Sequence, residues 1–195
     1  MELIIYEKNS TKKLYPASTT KILTAILVIE NCNLNDLVTV RQSALDNIPT
    51  GYVTCNLQVG EELSVKDLLY ALMIPSANDA AYVLAEHVAG SVDNFSVMMN
   101  DKAREIGCKT THFVNPNGIH DDSHYSTAYD MAILTSYAMK LDEYKKIAEL
   151  CFPNITKTPE DYYKMYYKVK KYGGFFLLEN IKFIIIIFFF ISCMT

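Results

Sequence analysis

Hydrophobic positions dominate the stretch "STTKILTAILVIE", residues 18–30, where Ile22, Leu23, Ala25, Ile26, Leu27, Val28 and Ile29 leave almost no polar face. A helix apolar on nearly all sides lies buried in the middle of a domain, and this one is too short to span a membrane. Pro16 discourages an earlier start, and Ser18 or a neighbouring Thr offers an N-cap. The same reading predicts four more helices. "SVKDLLYALMI" has Ser64 as N-cap and Asp67 in its first turn, and Pro75 stops it. "NDAAYVLAEHVAG" is capped by Asn78 or Asp79 and ended by Gly90. "SVDNFSVMMNDKAREIG" carries Phe95, Met98, Met99 and Ile106 at helical spacing, with Gly107 as its stop. "STAYDMAILTSYAMK" is capped by Ser126 or Thr127. A short strand is predicted at Leu3 to Tyr6, followed by a turn at Lys8 to Ser10. Residues 36–62 read as short strands and loops, and "NPNGIHDDSH" as a dense turn cluster.

The pattern changes after about residue 155. "DYYKMYYKVKKYGGFFLLENIKFIIIIFFFISCMT" is crowded with Tyr, Lys, Phe and Ile and follows neither a helical nor a strand period. Its longest apolar run, Phe183 to Ile191, has about half the roughly 20 residues a spanning helix needs. A core strand pair, a membrane anchor and an out-of-frame extension never selected to fold all compete. The last is preferred, because Tyr, Lys, Phe and Ile all have A/T-rich codons. The chain is thus divided into a domain over residues 1–155 and a divergent, disordered or hydrophobic tail over 156–195. Membrane association, if any, rests on that tail.

A hydrophobic share of 50% against 21% charged residues fits a folded globular chain. The net charge of −4, with no basic stripe before residue 164, argues against nucleic acid as a partner. The five cysteines are odd in number and widely spaced, and they read as small buried hydrophobes rather than a zinc site or disulfide framework. "MELIIYEKNSTKKLY" lacks the basic and apolar regions of a signal peptide, so a cytoplasmic location is expected of the chain as written.

Two short elements carry the chemistry. Ser18 and Lys21 are three positions apart and share one helix face. A serine hydroxyl is a weak nucleophile until a base takes its proton. Lysine becomes that base only if burial, or the positive end of a helix dipole, lowers its pKa from about 10.4. The plain alternative is a capping serine and a solvated lysine. The second element, "PSAND", sets Ser76 and Asn78 on a tight link between two helices, where a hydroxyl and an amide can face a cleft. Taken alone it reads as a helix stop and a new N-cap.

S-x-x-K followed by S-x-N is the signature order of penicillin-binding proteins and class A β-lactamases. "LYPASTTKILTAI", "LLYALMIPSANDAAYVLAEHVAG" and "FVNPNGIHDDSHYSTAYDMAILTSYAM" together resemble the serine D-alanyl-D-alanine carboxypeptidases of family S11, over roughly residues 2–150. Class A β-lactamases are less similar, since they carry Asp where this chain has Ala77. The resemblance implies an α+β fold of the DD-peptidase/β-lactamase type. Its helical part is complete, and its antiparallel sheet is incomplete at both ends. It implies that Ser18 attacks a peptidoglycan stem peptide ending in D-Ala-D-Ala, with Lys21 taking the proton. Ser76 relays it toward the leaving amine, and Asn78 binds substrate and orients Lys21. β-Lactam antibiotics would acylate Ser18. No metal or organic cofactor is implied, and the resembled family works outside the cytoplasm.

The third element of the resembled family, K-T-G or K-S-G, is missing from the sequence. It supplies positive charge for the substrate carboxylate and part of the oxyanion hole. Lys157-Thr158-Pro159 and Lys171-Tyr172-Gly173 are poor substitutes: proline lacks an N–H, and tyrosine is bulky. A β-lactam hydrolase and a non-catalytic truncated remnant therefore stay open as alternatives. His120, Asp121, Asp122 and His124 are close in sequence, but their turn-rich setting reads as a structural loop rather than a ligand set.

Overall fold

The computed structural model describes residues 4–151 and 174–177. The readings of the remaining tail, including both substitute triplets and the run from Phe183 to Ile191, lie outside the described residues.

The apolar block of the sequence forms the centre. A 3₁₀ turn, Ala17–Thr20, runs directly into α1, Lys21–Asn31, whose residues Lys21 to Val28 are all buried. Around α1 pack α3 (Val65–Met73), α4 (Asn78–Ala89), α5 (Val92–Ile106), α6 (Ala128–Ala138) and α7 (Asp142–Cys151). Leu23, Ile26, Leu68, Leu69, Leu72, Leu84, Phe95, Met99 and Leu134 are fully enclosed between them. Truncating one such Leu or Ile to Ala costs about 2–5 kcal/mol, so the helical layer holds α1 rigidly.

Local signals set several boundaries as expected. Ser64 accepts from the Asp67 N–H and caps α3, and Thr127 accepts from the Asp130 N–H and caps α6. Gly90 and Gly107 end α4 and α5 in the left-handed conformation that only glycine enters cheaply. Three expectations need correction. Ser18 caps nothing: α1 begins after Thr20 without a side-chain cap. Asn78 and Asp79 are not caps either, since Ala77 holds that position and both side chains are engaged elsewhere. The helix over residues 142–151 was not anticipated, although Tyr144, Ile147 and Ala148 turn one apolar face inward.

Among the described residues the strands are few. β1 (Ile4–Lys8) pairs antiparallel with β4 (Gly174–Leu177), with Lys8 opposite Gly174 and Ile4 opposite Leu177. β4 falls in the tail, where a core strand pair is one of the readings that the sequence leaves open and an out-of-frame extension the preferred one. β2 (Leu37–Thr39) pairs antiparallel with β3 (Glu62–Ser64), and a single-turn helix, α2 (Gln42–Leu45), follows β2. Among the described residues, no helix is long and apolar enough to cross a membrane.

Candidate active site

The 3₁₀ turn places Ser18 one turn ahead of Lys21, and the Lys21 Nζ lies 3.2 Å from the Ser18 Oγ. The turn is held in an uncommon shape, with Ala17 at φ 47°. Its carbonyl packs against Gly118, where a β-carbon would run into the Ala17 carbonyl and crowd the Thr20 hydroxyl. Gly118 itself has φ 87°. Glycine is required there both by space and by backbone conformation.

The link between α3 and α4 forms the second wall. Ser76 adopts φ 62°, strained for a residue with a side chain. This directs its Oγ to within 3.2 Å of the Lys21 Nζ. Asn78, the first residue of α4, brings its Oδ1 to 3.0 Å from the same nitrogen. Its backbone N–H and its side-chain Nδ2 both donate to the Val53 carbonyl, each at 2.9 Å. A carbonyl only accepts, so the amide nitrogen must face Val53 and the amide oxygen must face Lys21. The loop carrying Val53 is tied down in turn by Asp79. That buried carboxylate accepts from the Cys55 N–H at 2.9 Å and the Leu57 N–H at 3.1 Å.

The turn cluster after α5 supplies the third wall. The Asn117 carbonyl accepts from Lys21 Nζ at 3.2 Å, and the Pro116 carbonyl accepts from the Thr24 hydroxyl at 2.6 Å. Asn115 closes this turn by accepting from the Gly118 N–H and donating to the Ile119 carbonyl.

Lys21 is therefore 2% exposed and faces four neutral oxygens, with no carboxylate contributing to its titration. Burial alone pushes its pKa from 10.5 down to about 7. The hydrogen count follows. A neutral amine has two N–H donors and one lone pair. The Asn78 Oδ1 and the Asn117 carbonyl can only accept, so together they use both N–H groups. The lone pair is left for the hydroxyl of Ser18 or of Ser76. The site can thus take a proton from one serine and pass it to the other, with no change in heavy-atom positions.

The four residues singled out from sequence, Ser18, Lys21, Ser76 and Asn78, are brought together around one nitrogen. Sequence reasoning missed the carbonyls of Val53 and Asn117, which have no side-chain signature. It also missed Gly118, for which the "NPNG" turn was the available signal. Among the other groups, Cys108 is buried, but Cys55 is exposed, which corrects its reading as a buried hydrophobe. His120 lies on the surface edge-on to Tyr15, whereas His124 is enclosed.

The D-alanyl-D-alanine carboxypeptidase family, Peptidase S11, matches residues 2–172. The chain is 38% identical to the D-alanyl-D-alanine carboxypeptidase DacF of Bacillus subtilis over 164 residues, covering 82% of this chain and 39% of that protein. Penicillin binding protein 5 of Haemophilus influenzae superposes with a TM-score of 0.71 at 34% identity, over 76% of this chain and 46% of the other. The Streptomyces K15 DD-transpeptidase gives 0.70 at 34% identity, over 74% of this chain and 59% of the other. The chain thus spans less than two thirds of each of these relatives. With the fold of these neighbours and a continuous match over most of its length, the chain belongs to the S11 family of D-alanyl-D-alanine carboxypeptidases, the low-molecular-mass penicillin-binding proteins.

Proposed function

We propose that this chain performs serine acyl transfer on peptides ending in D-Ala-D-Ala, with Ser18 as nucleophile and Lys21 as general base. The observation that carries this reading is the convergence of two serine hydroxyls and two obligate acceptors on one buried lysine nitrogen, whose pKa burial lowers to about 7. The Ser18 Oγ adds to the carbonyl carbon of the penultimate D-Ala, and its proton moves to the Lys21 lone pair. The tetrahedral intermediate collapses as the C–N bond to the terminal D-Ala breaks. Lys21 returns the proton through the Ser76 hydroxyl to the leaving amine. Water then cleaves the Ser18 ester and frees the shortened peptide. A β-lactam follows the same first step, but its leaving amine stays tethered to the acyl group.

The resembled family's K-T-G triplet is absent from these 195 residues. The test is incubation of the full chain with a fluorescent penicillin, followed by intact mass and peptide mapping. A covalent adduct on Ser18, abolished by Ser18→Ala, is expected. No adduct at millimolar penicillin, or an adduct that survives Ser18→Ala, would overturn the reading.

A further inference from the structure

His124 is a buried titratable group that the proposed chemistry does not use. It is 1% exposed and packs edge-on against Phe113 at a ring-centroid distance of 5.3 Å. Its Nδ1 faces the Val114 N–H at 3.1 Å. A backbone N–H can only donate, so Nδ1 must be the bare, accepting nitrogen. The ring proton therefore sits on Nε2, which donates to the Thr20 Oγ1 at 2.8 Å. Thr20 is the last residue of the 3₁₀ turn and the immediate neighbour of Lys21.

The loop has its own fastenings that do not involve this ring. Asp130 accepts from the Thr110 N–H and the Thr111 hydroxyl, both at 2.7 Å. Asn100 pairs with both backbone groups of Phe113, and Asn115 closes the turn at Gly118. What His124 adds is a bond from the loop to the turn that presents the nucleophile. Thr24 and Lys21 make the neighbouring bonds across the same seam.

We propose that His124 is a positioning residue: a neutral, Nε2-protonated imidazole that latches the Ser18–Lys21 turn onto the loop whose Asn117 carbonyl receives Lys21. This rests on the reading of Lys21 as the base. Burial pushes the His124 pKa down to about 4, against an opposing pull from Asp121, with His112 and His120 acting in the same direction as burial. The ring stays uncharged where Lys21 loses its proton. A cationic ring would set an N–H against the Val114 N–H and add a second charge beside Lys21.

Three variants of the full chain separate the latch from a loop-folding role. Asn at 124 keeps an acceptor near the Nδ1 position and loses the donor to Thr20. Gln at 124 carries an amide nitrogen near the Nε2 position and loses the acceptor for Val114. Thr20→Val keeps the shape of Thr20 and removes its oxygen. The readouts are the titration of Lys21 by NMR of side-chain-labelled lysine, and the rate of Ser18 acylation by fluorescent penicillin. His124→Asn and Thr20→Val are expected to raise the Lys21 midpoint from about 7 toward the ordinary value. They also slow acylation about tenfold, the weight of one lost hydrogen bond. The two changes combined do no further damage, and His124→Gln retains both properties. Lys21 titrating as in the parent in folded His124→Asn and Thr20→Val overturns the latch, as does His124→Gln failing as badly as His124→Asn. A parent that is never acylated sinks the functional reading, while the Lys21 titration still decides the latch.

Discussion

The Asn78 Oδ1 lies 3.0 Å from the Lys21 Nζ because the other end of the same amide is fastened to the Val53 carbonyl at 2.9 Å. The oxygen cannot turn away without leaving a buried donor or acceptor unpaired. Asn78→Asp tests what this neutrality is for. A carboxylate beside Lys21 stabilises its ammonium and raises its pKa by about 1–3 units. Acylation of Ser18 by penicillin at pH 7 is expected to fall about 10- to 100-fold. It should recover in part at pH 9–10, as a stopped-time labelling series would record.

On the proposed reading, Lys21 also sets the pH dependence of the parent. Its folded pKa is lowered to about 7 from 10.5, so the folded chain favours the neutral amine. The unfolded chain holds more protons between those values, and stability contributed by this group therefore rises from pH 7 to about 10.5. The acylation rate is expected to climb with an apparent pKa near 7 and then level off. Rates measured from pH 5 to 9 check this, and a midpoint near the ordinary lysine value would rule out the buried neutral base.

Gly118→Ala should be far worse than a surface change. The added methyl meets the Ala17 carbonyl, and alanine is strained at φ 87°. A loss of about 1–3 kcal/mol in urea unfolding is expected. Acylation should be lost even where the variant remains folded, because the displaced element is the turn bearing Ser18.

Asp79 acts on the opposite wall. Replacing it with Asn removes a charged acceptor from the Cys55 and Leu57 N–H groups and costs about 1.5–3 kcal/mol per bond lost. Hydrogen exchange at these two amides should accelerate well beyond the global change. Asn78, whose anchor Val53 belongs to the same loop, should hold Lys21 less firmly.

How legible this was depends on where each signal resides. The central helix was visible because its apolar run has one physical solution, burial. The Ser18–Lys21 pair was visible because i, i+3 spacing on a helix fixes proximity. The caps at Ser64 and Thr127 were also readable, since their partners lie three residues away. Asn78 and Asp79 misled, because bonds to Val53, Cys55 and Leu57, distant in sequence, claimed side chains that local rules assign to a cap. α7 was missed because its inward face rests on only a few residues, among them Tyr144, Ile147 and Ala148, in a charged segment. The roles of the Val53 and Asn117 carbonyls are invisible to any reading of residue types, because every residue has a carbonyl.

The pairing of β1 with β4 has a bearing on how the protein is made. Ile4–Lys8 leaves the ribosome long before its antiparallel neighbour, Gly174–Leu177. Closing a loop of that length carries an entropic charge that only late contacts repay. The helices around α1 have their partners nearer at hand and can assemble during synthesis. β1 must wait, unpaired, until Gly174–Leu177 has emerged, which leaves it open to chaperones and to stray strand pairing along the way.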